Sequence, residues 1–361
     1  MTQSFSSAPG AAITHSDFRA PTPFDDLNPL LAELVAGARE RLGDNFVGAY
    51  LQGSFALGDF DEYSDVDWLI VTERDITEAE LPALQAFHGT LHDRPNRWAQ
   101  RLEGSYVPAA ILRRWSPTPR DPPGEPRPAD WADPGTSGRP PRVYPLLFKG
   151  NGQRSLVRSE HDNTQVVRWV MREKGLTLAG PPPGKLIDPI SAEALRAEVG
   201  PLLREVADWR LEPARIDALW LQAFFVLLCC RMLHTLELGE VTSKKTAAAW
   251  ASATLDPRWA PLIKDAQAMR PRPTSETQAP PDRGALDETV AFLGYVADRA
   301  SDGTGQADRA REIIARALAL KSQGPKGRGG LRPGASDVRG GSRRGGYAPP
   351  PIRPGGRGRR G

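Results

Sequence analysis

Apolar positions recur along this chain in two rhythms, and the change from one to the other divides it. In the first part, short apolar runs stand between helical patterns. Leu27 to Leu42 repeats at helical spacing behind the start signal Asn28-Pro29. Phe46 to Leu51 reads as a short buried strand, Asp65 to Val71 as a second and Arg101 to Pro108 as a third. Between the last two, Ile76 to Leu91 has the pattern of an amphipathic helix and Arg94-Pro-Asn that of a loop. Successive strand side chains point to opposite faces, so the third strand should set Leu102, Gly104 and Tyr106 on one side. Glu103, Ser105 and Val107 then share the other.

From Trp115 to Pro145 the periodicity stops in a run rich in Pro, Gly, Asp and Arg, which reads as an insertion or linker. After it the period is helical. The segment from His161 predicts a helix capped by Asp162 or Asn163 and ended by Gly175, with Leu176 to Pro183 as an extended exit. Further helices are predicted at about Ser191–Trp209, Ile216–Leu238, Ser243–Thr254, Pro257–Met269, Asp287–Arg299 and Ala307–Leu320. Thr242 or Ser243 should cap the helix that carries Lys244 and Lys245.

Composition changes this picture at the ends. The whole chain is 39% hydrophobic and 25% charged, with 35 Gly and 35 Pro, and its formal charge is +3. Lys321 to Gly361, however, holds 11 Lys and Arg against the single acid Asp337. The tail is thus +10 and the rest of the chain −7, so the basic balance is no nucleic-acid footprint on the folded body. Its Gly-Arg repeats are expected to be disordered, with at most weak nucleic-acid binding. Cys229 and Cys230 are neighbours in an apolar run, which excludes a disulfide framework and fits a reducing cytoplasm. Met1 to Asp17 has no signal-peptide pattern, and the apolar run Ala218 to Leu228 is too short to span a bilayer. No membrane partner is expected, and the protein is read as a monomer.

The candidate chemistry lies between the first two strands. Gly53-Ser54 breaks the first strand, a short helical turn follows through Gly58, and Asp65-Val-Asp67 opens the second. Asp65 and Asp67 fall on one face, where two carboxylates repel unless a divalent cation sits between them. Gly53 lets backbone approach a ligand, and the amide and hydroxyl of Ser54 could bond a phosphate. Asp-x-Asp or Gly-Ser alone is common in turns; the two in order with a strand on each side are sharper, and they point to phosphoryl or nucleotidyl transfer.

That motif resembles the nucleotidyltransferase superfamily of DNA polymerase beta, matched residue by residue at Gly53, Ser54, Asp65 and Asp67. The helical half is similar to the C-terminal domain of the streptomycin/spectinomycin adenylyltransferases, above all from Leu228 through Lys244 to Ala251. The resemblance implies a third carboxylate on the next strand, acting as general base; Glu103 is the residue that matches. It also implies that Arg231 and Lys244 close over the nucleotide phosphates, while Lys245 reads as a solvated helix position. Trp209 matches a Trp that grips the drug in that family. The acids expected beside it are out of register: Ala214 stands at one such place, with Glu212 and Asp217 nearby.

The fold expected is an α/β nucleotidyltransferase domain at 25–114, a small mixed sheet with flanking helices. A 1–24 disordered lead precedes it. A 115–145 insertion, a 146–300 all-α helical bundle, a possible terminal helix at 301–320 and a 321–361 disordered basic tail follow. The function expected is AMP transfer from ATP, with two Mg2+, to a hydroxyl of an aminoglycoside-like acceptor in antibiotic resistance. The alternatives are a nucleotide-binding regulator or antitoxin-like module, and an adenylyltransferase acting on a protein or other small metabolite.

Overall fold

A computed structural model describes residues 20–116, 146–210, 219–269 and 283–300. The expectations for most of the lead, for the insertion from 117 to 145, for a helix at 301–320 and for the tail lie outside those residues. So do Glu212, Ala214 and Asp217, and the side chain of Trp209.

The chain opens with α1 (Asn28–Leu42), then β1 (Phe46–Leu51), the short α2 (Gly53–Leu57) and β2 (Val66–Thr72). α3 (Leu81–His92) crosses to β3 (Leu102–Pro108), and α4 (Ala109–Arg113) follows. After the undescribed segment come β4 (Leu146–Lys149), β5 (Val157–Ser159), α5 (Gln165–Lys174) and β6 (Leu176–Ala179). The helical half consists of α6 (Ala192–Arg210), α7 (Leu219–Leu238), α8 (Lys244–Thr254), α9 (Ala260–Met269) and α10 (Arg283–Ala300).

The sheet is mixed, in the order β5-β4-β3-β2-β1-β6. Among the described strands only β2 and β3 run parallel; they are the pair joined by a helical crossover. Its central strands are apolar on both faces. One face packs Trp68, Ile70, Leu102 and Tyr106 under Leu31 and Leu34 of α1 and Leu84 of α3. The other packs Leu69, Val71 and Val107 against Leu112 of α4 and Met171 of α5.

Four expectations need correction. Residues 146–179 do not open the helical half; they add three strands to the sheet. Leu176–Ala179, expected as an extended exit, pairs antiparallel with β1 because that edge of β1 still has unpaired backbone groups. α5 is capped by Thr164, whose side chain accepts from the Val167 N–H at 3.0 Å, and not by Asp162 or Asn163. Asp162 is committed elsewhere, as described below. The ordered chain also begins before residue 25: Thr22 Oγ1 donates to Asn28 Oδ1 at 2.7 Å, and the Phe24 ring lies against Phe55, Phe60 and Trp98. Trp115, assigned to the insertion, donates its Nε1–H to the Asn163 carbonyl at 3.1 Å.

α7 is long and apolar enough to cross a membrane by composition alone. In this fold it is the centre of the helical bundle. Phe225, Val226, Cys229, Cys230 and Leu233 are buried among Ala247 and Ala251 of α8, Ile263 of α9 and Phe292 of α10. Both cysteines are free thiols, and burial pushes the ionisation of Cys229 and Cys230 upward.

Candidate active site

The acids reach one place because two neighbouring strands, β2 and β3, deliver them in register. Asp67 lies on β2 on the same face as Leu69 and Val71. In the parallel ladder its partner on β3 is Glu103. Asp65 precedes β2 by one residue and keeps the same parity. The turn into α2 closes over this row. Gly53 has φ of 58°, and a Cβ there would stand 1.8 Å from Asp67 Oδ2. Glycine is therefore required twice, by backbone conformation and by space. The Gln52 N–H donates to the Asp67 carbonyl at 2.8 Å, and the Ser54 N–H donates to the Asp67 carboxylate. The Ser54 amide expected to meet a phosphate is thus engaged with the acid beside it.

Crowding these carboxylates makes them hard to ionise. Burial, then the charges of Asp65 and Asp162, push Asp67 up to about 7. Burial and the neighbouring Asp67 and Asp65 push Glu103 up to about 7 as well. Asp65 is raised by burial, a shift held back by the positive charges of Lys244 and Arg101.

Three residues at this site were not found by reading the sequence. Asn151 donates its backbone N–H to Glu103 Oε2 at 2.9 Å and its side-chain Nδ2 to Asp65 Oδ1 at 2.7 Å. His161 stacks on Phe148, with ring centroids 4.5 Å apart, and brings Nε2 to 3.5 Å from Glu103 Oε1. Asp162 is a buried fourth carboxylate whose Oδ2 accepts from the Ser105 hydroxyl at 2.6 Å. Burial raises its pKa, and the hydrogen bonds from Ser105 and Gln52 work against that rise. The only available signal was the alternation of β3, which put Ser105 on the Glu103 face. Asn151 and His161 stand in loops that carry no periodic pattern.

The opposite wall is basic. A cavity of about 280 Å³ is lined by Gly53, Ser54, Asp65 and Asp67 on the sheet side and by Arg231 and Lys244 on the helical side. Lys244 is the first residue of α8, where Ser243 caps the helix by accepting from the Thr246 N–H at 3.1 Å. Its Nζ stands 5.5 Å from the centre of the Phe224 ring. The Lys245 N–H donates to Asp59 Oδ2 at 3.0 Å and so fastens the start of α8 to the loop after α2. Glu103 is not part of the cavity lining; it stands one strand further across the sheet.

The donor set fits a magnesium ion shared with a polyphosphate. Among the described residues no group of three or more His, Cys, Asp or Glu forms a complete metal cage. Mg2+ seldom asks for one: it is commonly held by one or two carboxylates plus substrate phosphates and water. Asp65 and Asp67, raised by burial with Asp67 raised further by Asp65, are the two that a cation would relieve.

Residues 33–96 match the family model of the nucleotidyltransferase domain, and residues 185–296 match that of the C-terminal domain of aminoglycoside adenylyltransferase. The first span contains Gly53, Ser54, Asp65 and Asp67; the second contains Trp209, Arg231 and Lys244. Glu103, Asn151 and His161 fall between the two. No curated protein matches the chain. Among solved structures, a spectinomycin adenylyltransferase from Enterococcus faecalis with ATP and spectinomycin is similar, with a TM-score of 0.50 and 14% identity. The likeness covers 75% of this chain and 98% of that one, and it is a likeness of fold.

Proposed function

Because the chain belongs to the aminoglycoside adenylyltransferase family of the nucleotidyltransferase superfamily, we propose that it transfers AMP from ATP to a hydroxyl of an aminoglycoside-like acceptor. The observation that carries this reading is the opposition of charge across the cavity. Asp65 and Asp67 form one wall, and Arg231 and Lys244 form the other. A triphosphate held at Asp65 and Asp67 with a divalent cation would still carry negative charge, which Arg231 and Lys244 would offset.

Asp65 and Asp67 would hold the metal, with two Mg2+ as the expected complement. When bound, it supplies charge stabilisation for the phosphates at the transition state. The chain's own residues do the rest. The acceptor oxygen bonds to the α-phosphorus while the bond from that phosphorus to the bridging oxygen breaks, and pyrophosphate leaves toward Arg231 and Lys244. Glu103 takes the hydroxyl proton. Its pKa of about 7 suits that task, since a general base works best when poised near the operating pH.

The test is incubation with Mg-ATP and a panel of aminoglycosides, following pyrophosphate and product mass. Pyrophosphate is expected only with an accepted aminoglycoside, whose mass rises by one AMP. Glu103→Gln should retain nucleotide binding and lose about 10² to 10⁴ in rate. Pyrophosphate release with no member of the panel modified would transfer the acceptor to another class, a protein or a different metabolite.

A further inference from the structure

Asn151 stands at the hairpin between β4 and β5, where the chain turns through Gly150-Asn151-Gly152-Gln153. The Gln153 N–H donates to the Gly150 carbonyl at 3.0 Å and closes the turn. Gly152 has φ of 69°, a conformation glycine reaches without strain. Its N–H donates to the Gln100 carbonyl at 2.7 Å, which ties the turn to the segment that leads into β3. The hairpin is thus held by its own hydrogen bonds. The two donations of Asn151 to Asp65 and Glu103 are surplus to it, and both go to acids that the proposed reaction uses.

We propose that Asn151 is a positioning residue that holds Asp65 ready for the metal and Glu103 ready for the acceptor hydroxyl. Like charges side by side move apart unless something fixes their separation. One residue donating to both does so from a single rigid turn. Its two donors have separate duties. The side chain orients Asp65 by engaging one of the two carboxylate oxygens, as hydrogen bonds to metal-ligating carboxylates generally do. The backbone N–H orients Glu103 and is retained when Asn151 is replaced by alanine. The inference rests on the nucleotidyl-transfer reading, and it differs from that reading in what breaks it.

The experiment compares the full-length protein with Asn151→Ala. Mn2+ binding is measured by electron paramagnetic resonance with a non-hydrolysable ATP analogue present, together with kcat at saturating Mg2+ and the melting temperature. Asn151→Ala should bind Mn2+ about 10- to 100-fold more weakly. It should melt with the wild type and recover a kcat within a few-fold of it at saturating Mg2+, because the bond to Glu103 survives. Mn2+ affinity within twofold of wild type overturns the proposal. So does a lowered melting temperature with kcat lost at every metal concentration, since that describes a structural residue. A wild-type protein that binds no Mn2+ with the nucleotide analogue overturns the transfer reading, and this inference with it.

Discussion

On β2, Trp68 and Ile70 point into the core under α1 and α3, while Asp67, between Val66 and Trp68, points to the opposite face and its carboxylates. The same alternation on β3 separates Leu102 and Tyr106 from Glu103 and Ser105. Burial acts on both faces, with opposite results. On the apolar face it lowers bases: His88 falls to about 3 and is neutral, its Nε2 paired with the Tyr106 hydroxyl at 2.8 Å. Lys149, wholly buried, falls to about 8 and donates to the Leu102 carbonyl at 2.6 Å. On the cleft face burial raises acids. A two-residue period thus sets a dry core and a reactive row one residue apart, and each can be altered without rebuilding the other.

The strongest way to break this separation is to empty the apolar face. Trp68→Ala should cost about 3–5 kcal/mol in urea unfolding, as large-to-small changes in packed cores do. A loss under about 1 kcal/mol would mean that the face is not the scaffold. Next in size is Asp67→Asn, which should reduce AMP transfer at least about a hundredfold. Its unfolding midpoint should hold or rise, because a buried charge is removed. A clear fall in the midpoint would place Asp67 in the scaffold and erase the distinction.

The smallest effect is on pH. Asp67 and Glu103 have folded-state pKa values raised to about 7, so the folded metal-free protein keeps protons that the unfolded chain gives up. The stability this pair contributes is complete below about 4 and is lost as pH rises through about 7. Solvent in the open cleft screens the effect, so the fall should be modest. Unfolding midpoints measured in chelator from acid to neutral pH should show it, and Asp67→Asn should flatten part of the slope. An unchanged slope in that variant would assign the proton uptake to other groups.

How legible each part was depends on how far along the chain its causes lie. Gly53, Ser54, Asp65 and Asp67 stand within one turn and one strand start, so their spacing alone placed them together. Glu103 showed the right face by alternation, but its partner Asp67 required the parallel pairing of β2 and β3, which a resemblance supplied and spacing did not. Asn151 and His161 were illegible because they arrive through β4 and β5, strands of four and three residues too short for a period. The same shortness hid β6. Asp162 looked like a helix cap because its type is common there; the structure gives that place to Thr164 and pairs Asp162 with Ser105 of β3.

β6 reaches back to β1 across the entire sheet-forming part of the chain, with Ala179 opposite Ala49. During synthesis the ribosome releases β1, β2 and β3 well before the residues that flank them. Until β4 and β6 emerge, the outer edges of β3 and β1 lack the partner strands that satisfy their hydrogen-bonding groups. Such long-range closure slows assembly relative to the locally connected helices that follow. The shortest stretch of chain that seals both sides of β1–β3 ends at Ala179, so a cut or fusion made to separate the two halves belongs beyond it.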